Sequence, residues 1–216
     1  MPTPPARKTA SSTDDEALLT LFRAIVAGDG PRAALLLRRT PSLAQQSLAI
    51  GATRASSVPF YFTSIEHYVY AGDTALHVAA AAYDGGAVRA LLAAKARVGA
   101  ANRRGAQPIH YAADGGPTMS TWNPRAQEEV VTSLIDAGAD PNVLDKSGVS
   151  PLHRAVRTRC TGAVRALLAG GADPRLQNES GSTALDLARQ TTGRGGTGTA
   201  EAKREQEKIL RLLRAR

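Results

Sequence analysis

Four stretches of the chain fall into a single frame: Gly72-Asp-Thr-Ala-Leu-His77, Gly105-Ala-Gln-Pro-Ile-His110, Gly148-Val-Ser-Pro-Leu-His153 and Gly181-Ser-Thr-Ala-Leu-Asp186. Their leading glycines stand 33, 43 and 33 residues apart. A second frame keeps step, with Leu91-Leu92, Leu134-Ile135, Leu167-Leu168 and Leu212-Leu213 following at 43, 33 and 45 residues. A third pairs Gly138-Ala-Asp-Pro-Asn142 with Gly171-Ala-Asp-Pro-Arg175, and Ala96 to Ala100 is its degraded copy. Three elements held in one register mean one supersecondary unit used several times. Such a unit cannot bury its apolar face alone, so the copies must stack.

The residues say how each unit is built. Gly72, Gly105, Gly148 and Gly181 stand where a hairpin tip turns, and glycine tolerates the positive φ such a tip requires. Thr74, Ser150 and Thr183 precede a first helix and can cap its free N–H groups. Pro108 and Pro151 fit the first helical turn, where a missing N–H is harmless. Small residues follow (Ala79 to Ala82, Ala112-Ala113, Ala155-Val156), which lets units approach closely. The second helix carries larger apolar residues such as Val88, Leu91 and Leu92, and ends at Gly138 or Gly171, the expected left-handed cap.

A period of 33 around a Thr-Pro-Leu-His core resembles the ankyrin repeat, most closely in Gly105 to His110 and in Ser150-Pro-Leu-His153-Arg-Ala155. The resemblance implies an all-α solenoid of stacked helix–turn–helix units with short β-hairpin-like tips. It also implies that His77, His110 and His153 hydrogen-bond backbone groups and order neighbouring repeats. Upstream, Thr13-Asp-Asp-Glu16 has capping-box spacing and opens an expected helix from Ala17 to Ala27, with a second from Arg32 to Arg39. The expected layout is a disordered tail at 1–13 and a degenerate capping repeat at 14–42. An aromatic-rich insertion at 43–71, repeats at 72–104, 105–147 and 148–180, and a capping repeat at 181–216 follow.

Three insertions interrupt this regularity. Residues 47–70 hold Phe60, Tyr61, Phe62, Tyr68 and Tyr70, five of the nine Phe, Trp and Tyr residues, together with His67. They read either as a loop folded over the first repeat or as a binding lip. The second insertion, 115–127, carries the only tryptophan, Trp122. The third, 191–203, contains the run from Gly193 to Gly198, which lacks the Gly-Lys-Ser/Thr of a phosphate loop and reads as a linker. Both emerge from the link between the helices of a unit. They predict a corner patch of Trp122, Arg125, Arg157, Arg159 and Arg194, either a site for an anionic or peptide ligand or an ordinary salt-bridged surface.

The ankyrin resemblance places partner contacts on the hairpin tips and the concave face. On this chain these are Arg103, Arg104, Lys146 and Glu179 at the tips, with Tyr83, Tyr111, Arg154 and Arg157 pointing inward from first helices. The expected partner is another protein. An anionic ligand, either a phosphorylated small molecule or a nucleic acid, is the alternative, and no cofactor is expected. The net charge of +8 permits either, whereas mixed charges at the tips fit a protein surface better than a nucleic-acid groove.

Catalysis and metal binding find little support in the sequence. One histidine per unit puts the three roughly 10 Å apart, too far to share one ion. Cys160 has no nearby base, and a buried thiol is the expectation. A single cysteine, no apolar run long enough to span a bilayer and no apolar centre in the first fifteen residues point to a monomeric cytoplasmic protein without a membrane segment.

Overall fold

The computed structural model describes residues 12–117, 119–120, 122–190 and 199–215. Within them the chain forms five helix–turn–helix pairs: α1 (Ser12–Val26) with α2 (Gly30–Arg39), α3 (Ala75–Ala81) with α4 (Gly85–Ala93), α5 (Pro108–Ala112) with α6 (Pro124–Asp136), α7 (Pro151–Thr158) with α8 (Thr161–Ala169), and α9 (Ala184–Arg189) with α10 (Ala200–Arg214). First helices pack in the series α1, α3, α5, α7, α9, and second helices in the series α2, α4, α6, α8, α10. The all-α solenoid implied by the repeat is therefore the observed architecture.

The core is one continuous apolar layer running from Leu18, Leu21 and Phe22 through Leu76, Ile109 and Leu152 to Ile209 and Leu213. Alanines fill the contact between first helices: Ala75, Ala79, Ala80, Ala112 and Ala155 are fully buried. Small side chains at these positions let one helical layer seat directly on the next. Larger leucines and valines of α4, α6 and α8 close the other side.

The caps form as their residue types dictate. Thr74, Gln107, Ser150 and Thr183 each make a capping box with the residue three positions on, and Pro108 and Pro151 open α5 and α7. Gly138 and Gly171 end their units at φ 94° and 93°, and Lys95 takes the same left-handed turn in the degraded copy. The first helix departs from expectation. It begins at Ser12, upstream of the anticipated Thr13 cap, and Glu16 accepts from Arg23 at 2.8 Å within the helix. An Arg about two turns further on holds that carboxylate, and the helix continues through the supposed cap.

Residues 43–71 are ordered by backbone pairing. Leu48 N–H donates to Asp73 O and Gly72 N–H to Leu48 O, so this segment lies where a preceding hairpin tip would lie. It then folds into short 3-10 turns and a small hairpin of β1 (Tyr61–Phe62) against β2 (His67–Tyr68), closed by Glu66 at φ 49°. Leu43, Leu48, Ile65 and Val69 are buried beneath it, and Phe62 meets Phe22 edge-on. Asp15 of α1 accepts from Ala49 and Ile50 N–H groups, which ties the insertion to the first pair.

Candidate functional site

Successive tips are clasped by their backbones: Arg103 N–H donates to Ala71 O, Lys146 N–H to Arg104 O and Glu179 N–H to Ser147 O. Inside each tip a short polar side chain closes the turn. Asn102 Oδ1 accepts from Arg104 and Ala106 N–H, Asp145 Oδ1 from Ser147 and Val149, and Asn178 Oδ1 from Ser180 and Ser182. With every turn amide used internally, the side chains of Arg103, Arg104, Lys146 and Glu179 stand exposed in a row.

Beneath the tips, the histidines link unit to unit. Each Nδ1 accepts the N–H of its own capping residue at 3.1 Å. The proton is therefore on Nε2, which donates forward to Ala106 O, Val149 O and Ser182 O at 3.0–3.1 Å. Burial pulls the His110 pKa down to about 4, with Arg154 adding to the effect, and lowers those of His77 and His153. Asp186 ends the series by accepting from Thr183 N–H and Oγ1.

The first helices, the hairpin of the aromatic insertion and the start of the second insertion enclose a groove of about 750 Å³. Its near wall is Tyr61, Tyr68 and Tyr70, its floor is Tyr111, Asn102 and Arg154, and its far wall is Gly115, Gly116 and Met119. Ser120 N–H and Oγ donate to Glu66 Oε1, so the first two insertions meet across it. Glycines permit the far wall to lie this close. A Cβ on Gly115 would stand 1.8 Å from Tyr83 Oη, and one on Gly116 1.8 Å from Thr158 O.

The floor is polar and largely satisfied. Asp73, fully buried, accepts from Asn102 Nδ2 at 2.9 Å, Tyr111 Oη at 2.7 Å and Tyr70 N–H at 2.6 Å. Arg154 donates to Asp145 Oδ2 at 2.9 Å and lies 3.6 Å from Asp114 Oδ2, bridging two repeats. Its Nε is buried without a partner. Arg154 helps hold the Asp145 carboxyl below its usual range, against the opposing and larger effect of burial.

The anticipated inward residues thus divide. Tyr111 and Arg154 line the groove from below, and Arg157 is exposed within it. Tyr83 is buried, at φ 52°, and donates to Asp114 O, where it supports the wall. At the tips, Arg103 donates to Ala52 O and Arg104 to Tyr70 Oη, with both guanidinium groups over the Tyr70 ring at 5.3 and 5.1 Å.

The described residues of the predicted corner patch each have local partners. Arg125 is exposed and pairs with Glu129, whereas Arg159 is buried at φ 63° with Nη2 on Gln190 O. Trp122 is half-buried and donates to Gln127, whose amide holds Ala112 O. Arg194 and the run from Gly193 to Gly198 lie outside the described residues. Cys160 is buried, accepts weakly from Ala163 N–H as the cap of α8, and has its thiol pushed up to about 11 by that burial. Among the described residues no group of His, Cys, Asp or Glu could hold a metal ion, and no helix is long and apolar enough to cross a membrane.

Sequence reasoning missed Asp73, Met119 and the Glu66–Ser120 junction. The Asx turns carried a signal, since Asn102, Asp145 and Asn178 each stand three residues before a frame glycine. The junction has no such periodic mark.

Stacked hairpin–helix–helix units with a histidine ladder define a repeat solenoid. Ankyrin-repeat models match residues 71–103 and 104–146, and a model of ankyrin repeats in many copies matches 134–188. These spans cover more than half of the chain, and the protein belongs to the ankyrin-repeat family. No curated protein matches it. Ankyrin repeats are generally protein–protein interaction modules and typically non-catalytic.

Proposed function

We propose that this chain is a non-catalytic module that binds another protein through its hairpin tips and concave face. The observation that carries this reading is the exposed row of Arg103, Arg104, Lys146 and Glu179 beside the groove. Backbone needs of the tips are met internally, so closing the turns does not call on these side chains. Arginine and tyrosine are also the residue types most often found at the energetic centre of protein interfaces. Tyr111 and Arg154 shape the floor of that surface, and Tyr83 braces its far wall.

The test is cross-linking capture with the full chain, comparing the wild type with an Arg103→Glu, Arg104→Glu double variant. The wild type is expected to enrich a defined set of proteins and the variant to lose it, with unchanged circular dichroism. Equal capture by both chains would remove the tips as the main contact.

A further inference from the structure

The enclosed part of the concave face is built by residues that a plain repeat does not have. Of the six large apolar side chains exposed among the described residues, Ile50, Val58, Tyr61 and Tyr68 lie in the aromatic insertion. Tyr61 and Tyr68 are cross-strand partners, each 39% exposed, with ring centroids 4.7 Å apart. That pair is an apolar ledge at the groove mouth, facing the methionine of the opposite wall. A packed cover would bury its rings. This one turns Phe62 inward and leaves the tyrosines out.

Exposed positive charge outweighs exposed negative charge in the groove, with two arginines against Glu66. Asp73 is sealed beneath Tyr111 and Asn102, Asp114 and Asp145 turn to Arg154, and Glu66 is engaged by Ser120. Arg104 and Arg157 are exposed along the groove, Arg104 steadied by the Tyr70 ring and hydroxyl. A guanidinium presented over an aromatic face is pre-organised to take a carboxylate in two parallel hydrogen bonds. The chain as a whole carries +8, which favours approach of an acidic partner.

We infer that the groove between the two insertions takes a short acidic peptide segment of the partner, its carboxylate side chains on Arg104 and Arg157 and a neighbouring apolar side chain on the Tyr61–Tyr68 ledge. This rests on the protein-binding reading above and gives that partner a chemistry. The volume of about 750 Å³ lies within the range of ligand pockets and suits a few residues of extended chain.

The probe is a random short-peptide display library selected on the full chain, followed by titration of synthetic copies of the enriched peptides. Enrichment of Asp or Glu beside a leucine or aromatic residue is expected. Arg104→Glu, Arg157→Glu and Tyr61→Ala should each weaken those peptides by about tenfold or more, as loss of a central contact does. Arg38→Glu and Arg89→Glu, charge reversals at exposed positions of the second helices away from the groove, should change affinity by no more than about twofold. Arg104→Gln and Tyr61→Phe serve where a harsher change disturbs the thermal unfolding curve.

Several results would overturn the inference. These are selection of basic or uncharged peptides, no enrichment at all, and acidic peptides whose affinity falls with Arg38→Glu or Arg89→Glu and not with Arg104→Glu and Arg157→Glu. Inorganic phosphate or ATP binding with the same arginine dependence, in the absence of peptide binding, would make the groove a small-anion site. Each of these leaves whole-protein capture through the tips standing or falling on its own double variant.

Discussion

At the scale of single residues, the imidazole of His110 has three tasks that no other side chain combines. Its ring fills space in a fully buried layer, Nδ1 accepts from the Gln107 N–H, and Nε2–H donates to Val149 O in the next unit. Only the neutral ring can do this, because protonation would turn the Nδ1 acceptor into a second donor facing an N–H. The linkage has a definite sign. The native pKa of about 4 lies below the ordinary imidazole value of 6.5, so the unfolded chain binds more protons between those limits. The contribution is fully present above pH 6.5 and is lost as pH falls toward about 4. It is on the order of 3 kcal/mol for this one buried group. His77 and His153 are shifted the same way and steepen the fall. Urea midpoints are therefore expected to drop between neutral pH and pH 5. His110→Gln should be less stable at neutral pH, with a shallower pH dependence. A midpoint that stays level over this range would refute the account. This much was readable beforehand: the His recurs in the repeat frame, and the ankyrin resemblance implies that it orders neighbouring repeats. Arg154 was not so readable. Nothing local in Pro-Leu-His-Arg announces that its guanidinium spans Asp114 and Asp145, because those partners come from the preceding repeat and its tip.

At the scale of elements, regular helices were legible because each repeats a cap, an alanine face and a leucine face in step. The insertions were located by the break in step, but their conformation was not, since a non-repeating loop is fixed by contacts distant in sequence. The second and third insertions were expected to share a corner. The second is joined to the first through Glu66 and Ser120, 54 residues apart, whereas 191–198 of the third lie outside the described residues. In residues 47–70, Phe62 and Val69 turn to the core as a cover does, and Tyr61 and Tyr68 line the groove. Gly116 tests whether the far wall is truly seated. An added Cβ would stand 1.8 Å from the Thr158 carbonyl oxygen, a rigid backbone atom, so the loop must lift. Gly116→Ala is expected to lower stability by roughly 1–3 kcal/mol, as overpacking does. It should also raise hydrogen exchange at Ser120, whose N–H is held by Glu66. Unchanged exchange at Ser120 would mean that the wall does not depend on that close approach.

At the scale of the whole molecule, stability is a chain of neighbour contacts, and the last pair shows what one link contributes. Residues of α9 and α10 bury Ala184, Ala188, Ile209 and Leu213 against the preceding unit. They also accept from it: Ser182 O takes the His153 Nε2–H, Gln190 O the Arg159 guanidinium and Glu205 the Thr161 N–H. Removing 181–216 would leave His153 and Thr161 without those partners and would expose the apolar face of α7 and α8. Ile209 and Leu213 alone stand for roughly 1.5–3 kcal/mol each of lost burial. A solenoid whose end unit has lost its cap either frays from that end or unfolds altogether, since each repeat is stabilised by its neighbours. A chain ending at residue 180 is therefore expected to lose helical signal beyond its missing residues and to unfold at lower urea with a broader transition. The N-terminal end should tolerate less. Phe22 and Asp15 of α1 hold the aromatic insertion, and with it the near wall of the groove. Deleting 12–29 should thus cost both stability and acidic-peptide binding. The C-terminal truncation, where it still folds in stabilising osmolyte, should retain peptide binding because no residue of α9 or α10 lines the groove. Binding lost equally in both truncations would show that the groove depends on the full stack and not on its local walls.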